Sequence, residues 1–249
     1  MRGRALGQAA CCTTTGARHD ESLGPRRPLI LLTDRRVRDL HAARLLGALR
    51  RAGWAARLLV VPAGERAKTR ETKARLEDRL LELGAARDAL MIALGGGVVS
   101  DLGGFLAATY LRGISWVAVP TTLLGMVDAS LGGKTGVNHP RGKNLIGAIH
   151  QPDAVLIDVH LLKTLPEREY RCGLAEVVKA GVVADAALFR LIEREPEPIL
   201  SRASQTLMRM VYAACRVKVR IVTRDEREAG VRAILNFGHT AGHAIEAVT

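Results

Sequence analysis

Several short clusters in this 249-residue sequence hold residues whose types and spacing could do chemistry. Glu176 and Lys179 lie one helical turn apart and face the same way. His239 and His243 stand at i and i+4, again on one face. Two imidazoles with a carboxylate from a second helix form a catalytic zinc set that leaves one position open. The same residues also read as an exposed ion pair and a capped helix end, so spacing alone leaves both readings open. Asn236-Phe237-Gly238 ahead of His239 favours the metal, because asparagine and glycine place a helix start beside the first histidine.

Three further clusters could hold anions. Gly95-Gly96-Gly97-Val98-Val99-Ser100-Asp101 follows an apolar run and opens a helical pattern. Such a turn lets backbone N–H groups approach a pyrophosphate at a helix N-terminus. It is not the GxGxxG fingerprint, and by itself it reads more often as a tight turn. Pro62-Ala63-Gly64-Glu65-Arg66-Ala67-Lys68 joins a strand pattern to a helix pattern, where open α/β sheets bind ligands. Gly132-Gly133-Lys134-Thr135-Gly136 looks like part of a P-loop, but Asp128 stands where that motif needs glycine, which excludes a nucleotide triphosphatase. What remains is a lysine on a flexible glycine turn, followed by Lys143-Asn144. Two cations in one loop region suit a phosphate or carboxylate.

These residues need elements to position them. Leu29–Leu32, Leu58–Val61, Leu90–Leu94, Trp116–Val119 and Val155–Ile157 are short apolar runs that read as buried strands. Helical spacing covers residues 39–51, 69–83 and 98–109 between them. Alternating strands and helices predict an α/β layer with a largely parallel sheet. After about residue 161 the pattern turns helical, over 173–183, 186–194, 201–223 and 238–248. A boundary is expected near residue 160. It separates a Rossmann-like domain over 29–160 from an incomplete helical, metal- and substrate-binding domain over 161–249. Residues 1–28 have no such period and are expected to be disordered.

Composition narrows the function classes. Net charge is +12, yet the excess is scattered, and aromatics are only 3%. That argues against a single-strand nucleic-acid binder and for a local anionic substrate site on an arginine-rich surface. No run of eighteen apolar residues occurs, so no transmembrane helix is expected. Only seven of the 37 basic residues are lysine: 68, 73, 134, 143, 163, 179 and 218. Lysine is a compact, tunable point charge, which arginine is not. Four cysteines without CxxC spacing suit reduced thiols and a cytoplasmic location.

Taken together and in order, these stretches resemble the 3-dehydroquinate synthases, over about residues 29–249. The most specific are 94–101, 120–138, 143–152, 173–181 and 235–246. The resemblance implies NAD bound by Asp34, Glu65, Lys68, Gly96, Gly97, Asp101, Thr121, Thr122, Lys134, Lys143 and Thr164. It implies zinc or cobalt on Glu176 and His239, with His243 beside the substrate phosphate. Substrate would meet Asp128, Lys134, Lys143, Asn144, Lys179, Lys218, Arg232 and Asn236, and Arg112 would reach the phosphate of a neighbouring subunit in a homodimer. Lys134, Lys179, Asn144, His243 and Lys218 would carry catalysis. Five of the seven lysines fall on these positions.

The implied reaction converts 3-deoxy-D-arabino-heptulosonate 7-phosphate to 3-dehydroquinate and phosphate in the shikimate pathway. NAD takes a hydride from C5 and later returns it, while the metal polarises that hydroxyl. The family's third metal ligand is a histidine about sixteen residues past the first, beyond Thr249. The expectation is therefore that this chain binds metal poorly and turns over little by itself. Alternatives are another sugar-phosphate cyclase, of the 2-deoxy-scyllo-inosose or valiolone type, a related polyol dehydrogenase, or an inactive NAD-binding fragment.

Overall fold

The computed structural model describes residues 28–238. The expected tail at 1–28 lies outside these residues except for Pro28, and so do His239, His243 and nearly all of the helix expected over 238–248.

Five parallel strands form one sheet: β1 (Leu29–Asp34), β2 (Ala56–Val61), β3 (Leu90–Gly95), β4 (Ser115–Pro120) and β7 (Ala154–Val155). Their order across the sheet is β2-β1-β3-β4-β7. Continuous apolar runs suit strands covered on both faces, and Leu29, Ile30, Leu31 and Leu32 are all buried. The strand expected at 155–157 pairs only through Ala154 and Val155. Helices α1 (Arg35–Val37), α2 (Ala43–Arg51), α3 (Arg70–Glu82) and α4 (Gly97–Thr109) connect the strands. The expected helix 39–51 is interrupted, with a π-helical turn over Arg38–Ala42 preceding α2.

The chain leaves β1 for β2 on one side and returns to β3 on the other, so a crevice opens at the carboxyl ends of β1 and β3. In-register pairing of Thr33 with Leu94 puts Asp34 beside the glycine turn.

The largest departure from expectation is a hairpin. Residues 134–149 are not a flexible loop but an antiparallel hairpin, β5 (Lys134–His139) with β6 (Gly142–Ile149). Gly136 faces Gly147 across it. A Cβ on Gly147 would lie 2.0 Å from the Thr135 carbonyl oxygen, and one on Gly136 2.6 Å from that of Ile146. Glycine is what lets these strands pack so closely.

Helices α5 (Glu167–Ala184), α6 (Ala186–Arg194), α7 (Pro196–Leu200) and α8 (Ser204–Arg224) follow, then a 3₁₀ turn over Val231–Asn236. Helix α5 starts six residues before its expected position. Pro166 precedes it, Glu167 and Glu169 sit in its first turn, and buried Tyr170 donates to the Ile199 carbonyl at 2.7 Å. One continuous apolar core joins these helices to the sheet through residues such as Leu123, Met126, Tyr170, Val177 and Met210.

Candidate active site

Two cavities meet beside the sheet. The first, about 450 Å³, lies over the carboxyl ends of β1 and β3. Its walls include Asp34, Glu65, Lys68, Gly96, Gly97, Asp101, Thr121, Thr122, Lys143 and Thr164. Ten of the eleven residues expected to hold NAD therefore share one cavity. Lys134, the eleventh, lines only the second cavity.

Gly96 caps α4 without any side chain, so the orphan N–H groups of the first turn are offered to a ligand. Gly96 also leaves room for Thr122, whose Cγ2 would lie 3.0 Å from an added Cβ. Asp34 accepts from the Val37 N–H at 3.0 Å, which fixes its carboxylate at the cavity edge. At the mouth, His41 Nε2 lies 2.8 Å from Thr164 Oγ1, linking the first helical segment to the 3₁₀ turn over Val159–Thr164.

The second cavity, about 670 Å³, is walled by Asp101, Asp128, Lys134, Asn144, Lys218 and Arg232, among others. Its cations come from β5, α8 and the turn after it. Each is pinned. Lys218 Nζ donates to Asp128 at 2.5 Å, and Lys134 donates to Glu228. Arg232 is buried and donates to the carbonyls of Glu226 at 2.5 Å and Gly132 at 3.3 Å. Gly132, at φ +97°, turns the chain into the hairpin against that guanidinium. The Asp225 carboxylate holds this turn by accepting from the N–H groups of Ala229, Gly230 and Arg232. Those bonds keep it below the usual carboxylate range.

Asp101 and Asn144 belong to both cavities, and Lys68 joins them. Its buried Nζ donates to Asp101 Oδ2 at 2.5 Å and to Asn144 Oδ1. Burial pushes the Asp101 carboxyl up to about 6, with the Lys68 ammonium pulling the other way.

Other expected site residues stand apart. Glu176 and Lys179 pair on α5, with side chains 18% and 10% accessible, so this is not a solvent-exposed ion pair. They line neither cavity. Asn236 donates to Glu228 at 2.8 Å, and Arg112 lies exposed on a left-handed turn at φ +69°. Among the described residues no three His, Cys, Asp or Glu side chains come together to hold a metal ion. Glu176 is the described member of the expected ligand pair, and a carboxylate with an imidazole is a fitting donor set for zinc. Sequence reasoning missed Glu228, Asn138 and His41. Three acids, Asp225, Glu226 and Glu228, just ahead of Arg232 in an arginine-rich chain were a usable signal for the first.

A parallel sheet with a crevice at its switch point, joined to a cation-lined cavity, defines a Rossmann-like scaffold. A solved 2-epi-5-epi-valiolone synthase from Streptomyces hygroscopicus subsp. jinggangensis, with NAD⁺ and Zn²⁺ bound, superposes with a TM-score of 0.82 at 31% identity. The match covers 96% of this chain and 68% of that one. A 2-deoxy-scyllo-inosose synthase complexed with carbaglucose-6-phosphate, NAD⁺ and Co²⁺ superposes with a TM-score of 0.81 at 29% identity, over 89% of this chain and 61% of that one. The family model described as 3-dehydroquinate synthase N-terminal matches residues 58–172, and the C-terminal one matches 173–249. The chain belongs to the 3-dehydroquinate synthase family. The 3-dehydroquinate synthase of Geobacter metallireducens is 53% identical over 90% of this chain and 62% of its own length. That of a Synechococcus is 52% identical over 89% and 61%. The chain thus spans about three-fifths of the length of these relatives.

Proposed function

We propose that this chain belongs to an enzyme converting 3-deoxy-D-arabino-heptulosonate 7-phosphate to 3-dehydroquinate and phosphate, a carbon–oxygen lyase of the shikimate pathway. One observation carries the reading: an anion-ready helix terminus and a pinned cluster of cations open into adjoining cavities that share Asp101 and Asn144. The first cavity would hold NAD through Asp34, Gly96, Gly97, Thr121 and Thr122, the second the sugar phosphate through Lys134, Asn144, Lys218 and Arg232. Glu176 and His239 would hold zinc or cobalt. When bound, NAD and the metal supply reversible hydride acceptance and polarisation of the reacting hydroxyl.

The chain's own residues then orient and neutralise. Lys134 and Lys218 give charge-assisted bonds to phosphate and carboxylate. Each already faces a carboxylate, so the site holds its charges before substrate arrives. The substrate's own phosphate would serve as base, which leaves positioning to the protein. Arg112 is assigned to a neighbouring subunit's phosphate in a homodimer, in a cytoplasmic enzyme divided near residue 160.

The test is phosphate release from 3-deoxy-D-arabino-heptulosonate 7-phosphate with NAD and zinc. It is run on this chain and on the chain extended through the following helices of its reading frame. Release in either supports the reading. NAD binding without release in both overturns it. Faster release from an alternative sugar phosphate would move the assignment to a valiolone or inosose cyclase, and net NADH production to a polyol dehydrogenase.

A further inference from the structure

Asn138 lines neither cavity, yet it is tied to the residues of both. It lies in β5 at the register shift between Val137 and His139, one residue past the regular pairing. Its backbone N–H donates to the Lys68 carbonyl at 2.8 Å. Its side-chain Nδ2 donates to Glu65 Oε1 at 2.7 Å, and its Oδ1 accepts from the Asn144 N–H at 2.9 Å. The loop it holds on one side carries Glu65 and Lys68, both in the first cavity. On the other side it holds Asn144, shared by both cavities, in the left-handed conformation at φ +58°. That conformation is uncommon without a local partner, and the Asn138 bond supplies one. Lys143 precedes Asn144 on the same strand and faces the first cavity.

We infer that Asn138 is a positioning residue that couples occupancy of the first cavity to that of the second. The inference rests on the proposed assignment of NAD and phosphate to the two cavities. A ligand that fixes Glu65 and Lys68 fixes Asn138, and through it Asn144. Ordering that part of the hairpin once benefits both ligands, so each binds better when the other is present. The coupling is reciprocal by linkage.

The experiment is isothermal titration of NAD, with and without saturating inorganic phosphate as the probe of the second cavity. In the parent, phosphate is expected to tighten NAD by about fivefold or more. Asn138→Asp is isosteric and keeps the acceptor for Asn144, but sets a carboxylate against Glu65. In that variant the tightening is expected to fall to about twofold or less. Glu65→Gln combined with Asn138→Asp exchanges donor and acceptor across the same pair, because the amide introduced at position 65 then donates. The double variant should regain the parent's ratio, whatever its absolute affinity. A purely structural role would lower the melting temperature of Asn138→Asp and leave the ratio intact, and that result overturns the inference. A parent that binds NAD with no response to phosphate overturns it too. A parent that binds no NAD removes the functional reading itself, and this inference with it.

Discussion

The two cavities are built in different ways. The first is framed by strand ends, the Gly95-Gly96-Gly97 turn and a helix terminus with no side-chain cap. Its position follows from strand order alone. The second is built from long cationic side chains, brought from β5, α8 and the 231–236 turn and fixed by acids or carbonyls far away in sequence. Lys218 and Asp128 are 90 residues apart, and Arg232 and Gly132 are 100. One cavity is therefore preorganised by backbone topology, the other by charge pairing. Damage to the first should be steric and fall mainly on cofactor affinity. Damage to the second should be electrostatic and fall on turnover.

The largest effect is expected in the second cavity. Lys218→Met removes a charged donor and leaves Asp128 without its 2.5 Å partner. Phosphate release should fall about 10²–10³-fold, the usual cost of losing one oriented donor, while NAD affinity stays within about twofold. Initial-rate kinetics and titration of NAD on the same sample check both halves. An equal loss in NAD affinity would erase the distinction between the cavities.

Next comes the converse. Gly97→Val puts a branched side chain at the first turn of α4, where even a Cβ would lie 3.3 Å from Ala129 Cβ. Overpacking costs about 1–3 kcal/mol of stability; where the first turn of α4 shifts to relieve it, NAD should bind about one to two orders of magnitude more weakly. Ala129 lines both cavities, so binding of inorganic phosphate alone, measured without NAD, should weaken, but by less than binding of NAD.

A smaller effect probes the seam, where the distinction blurs. Asp101 ionises near 6 in the folded protein, above the value of about 3.9 for a free aspartate. Between those values the folded state binds more protons than the unfolded chain. The contribution of this group to stability is therefore greatest below about pH 4 and declines as pH rises through about 6. Lys68→Met removes the ammonium that holds the carboxyl down, so the titration should move higher and the decline extend to higher pH. A carboxyl-carbon NMR titration reads the shift directly. A downward move would show that Lys68 does not govern this carboxylate.

The same division explains what could be read from sequence. Strands β1 and β3 announce themselves as Leu29-Ile30-Leu31-Leu32 and Leu90-Met91-Ile92-Ala93-Leu94, because local apolar runs decide burial. The glycine turn follows β3 directly, so the place of the turn at the sheet's edge was legible, while the residues expected around it came from the family resemblance. The residues expected around the second came from the family resemblance, and their arrangement was not legible. Nothing near Lys134 in sequence announces Glu228, and the Asn138 bonds exist only once the hairpin has formed. The hairpin escaped because glycine usually marks turns and here serves close strand contact at Gly136 and Gly147. The early start of α5 was legible in principle, since proline followed by two acids is a helix-start signal.

The smallest effect asks whether the helical region matters to the site beyond carrying its side chains. Asp185 caps α6, accepting from the N–H groups of Ala187 and Leu188 at 3.0 Å each. It lines neither cavity. Asp185→Ala leaves two N–H groups of the first turn without that acceptor, and loss of such a cap costs about 1 kcal/mol. Helix α6 packs on α5 and α8, so the loss should appear as lower global stability in urea unfolding, with an unchanged denaturant slope. NAD affinity should not move, because no α6 side chain lines the first cavity. If catalysis needs only that α8 present Lys218, turnover at 25 °C should not move either. A fall in turnover without a fall in stability would mean that α6 sets the position of α8. The charge-paired cavity would then depend on helix packing as closely as the first depends on its sheet.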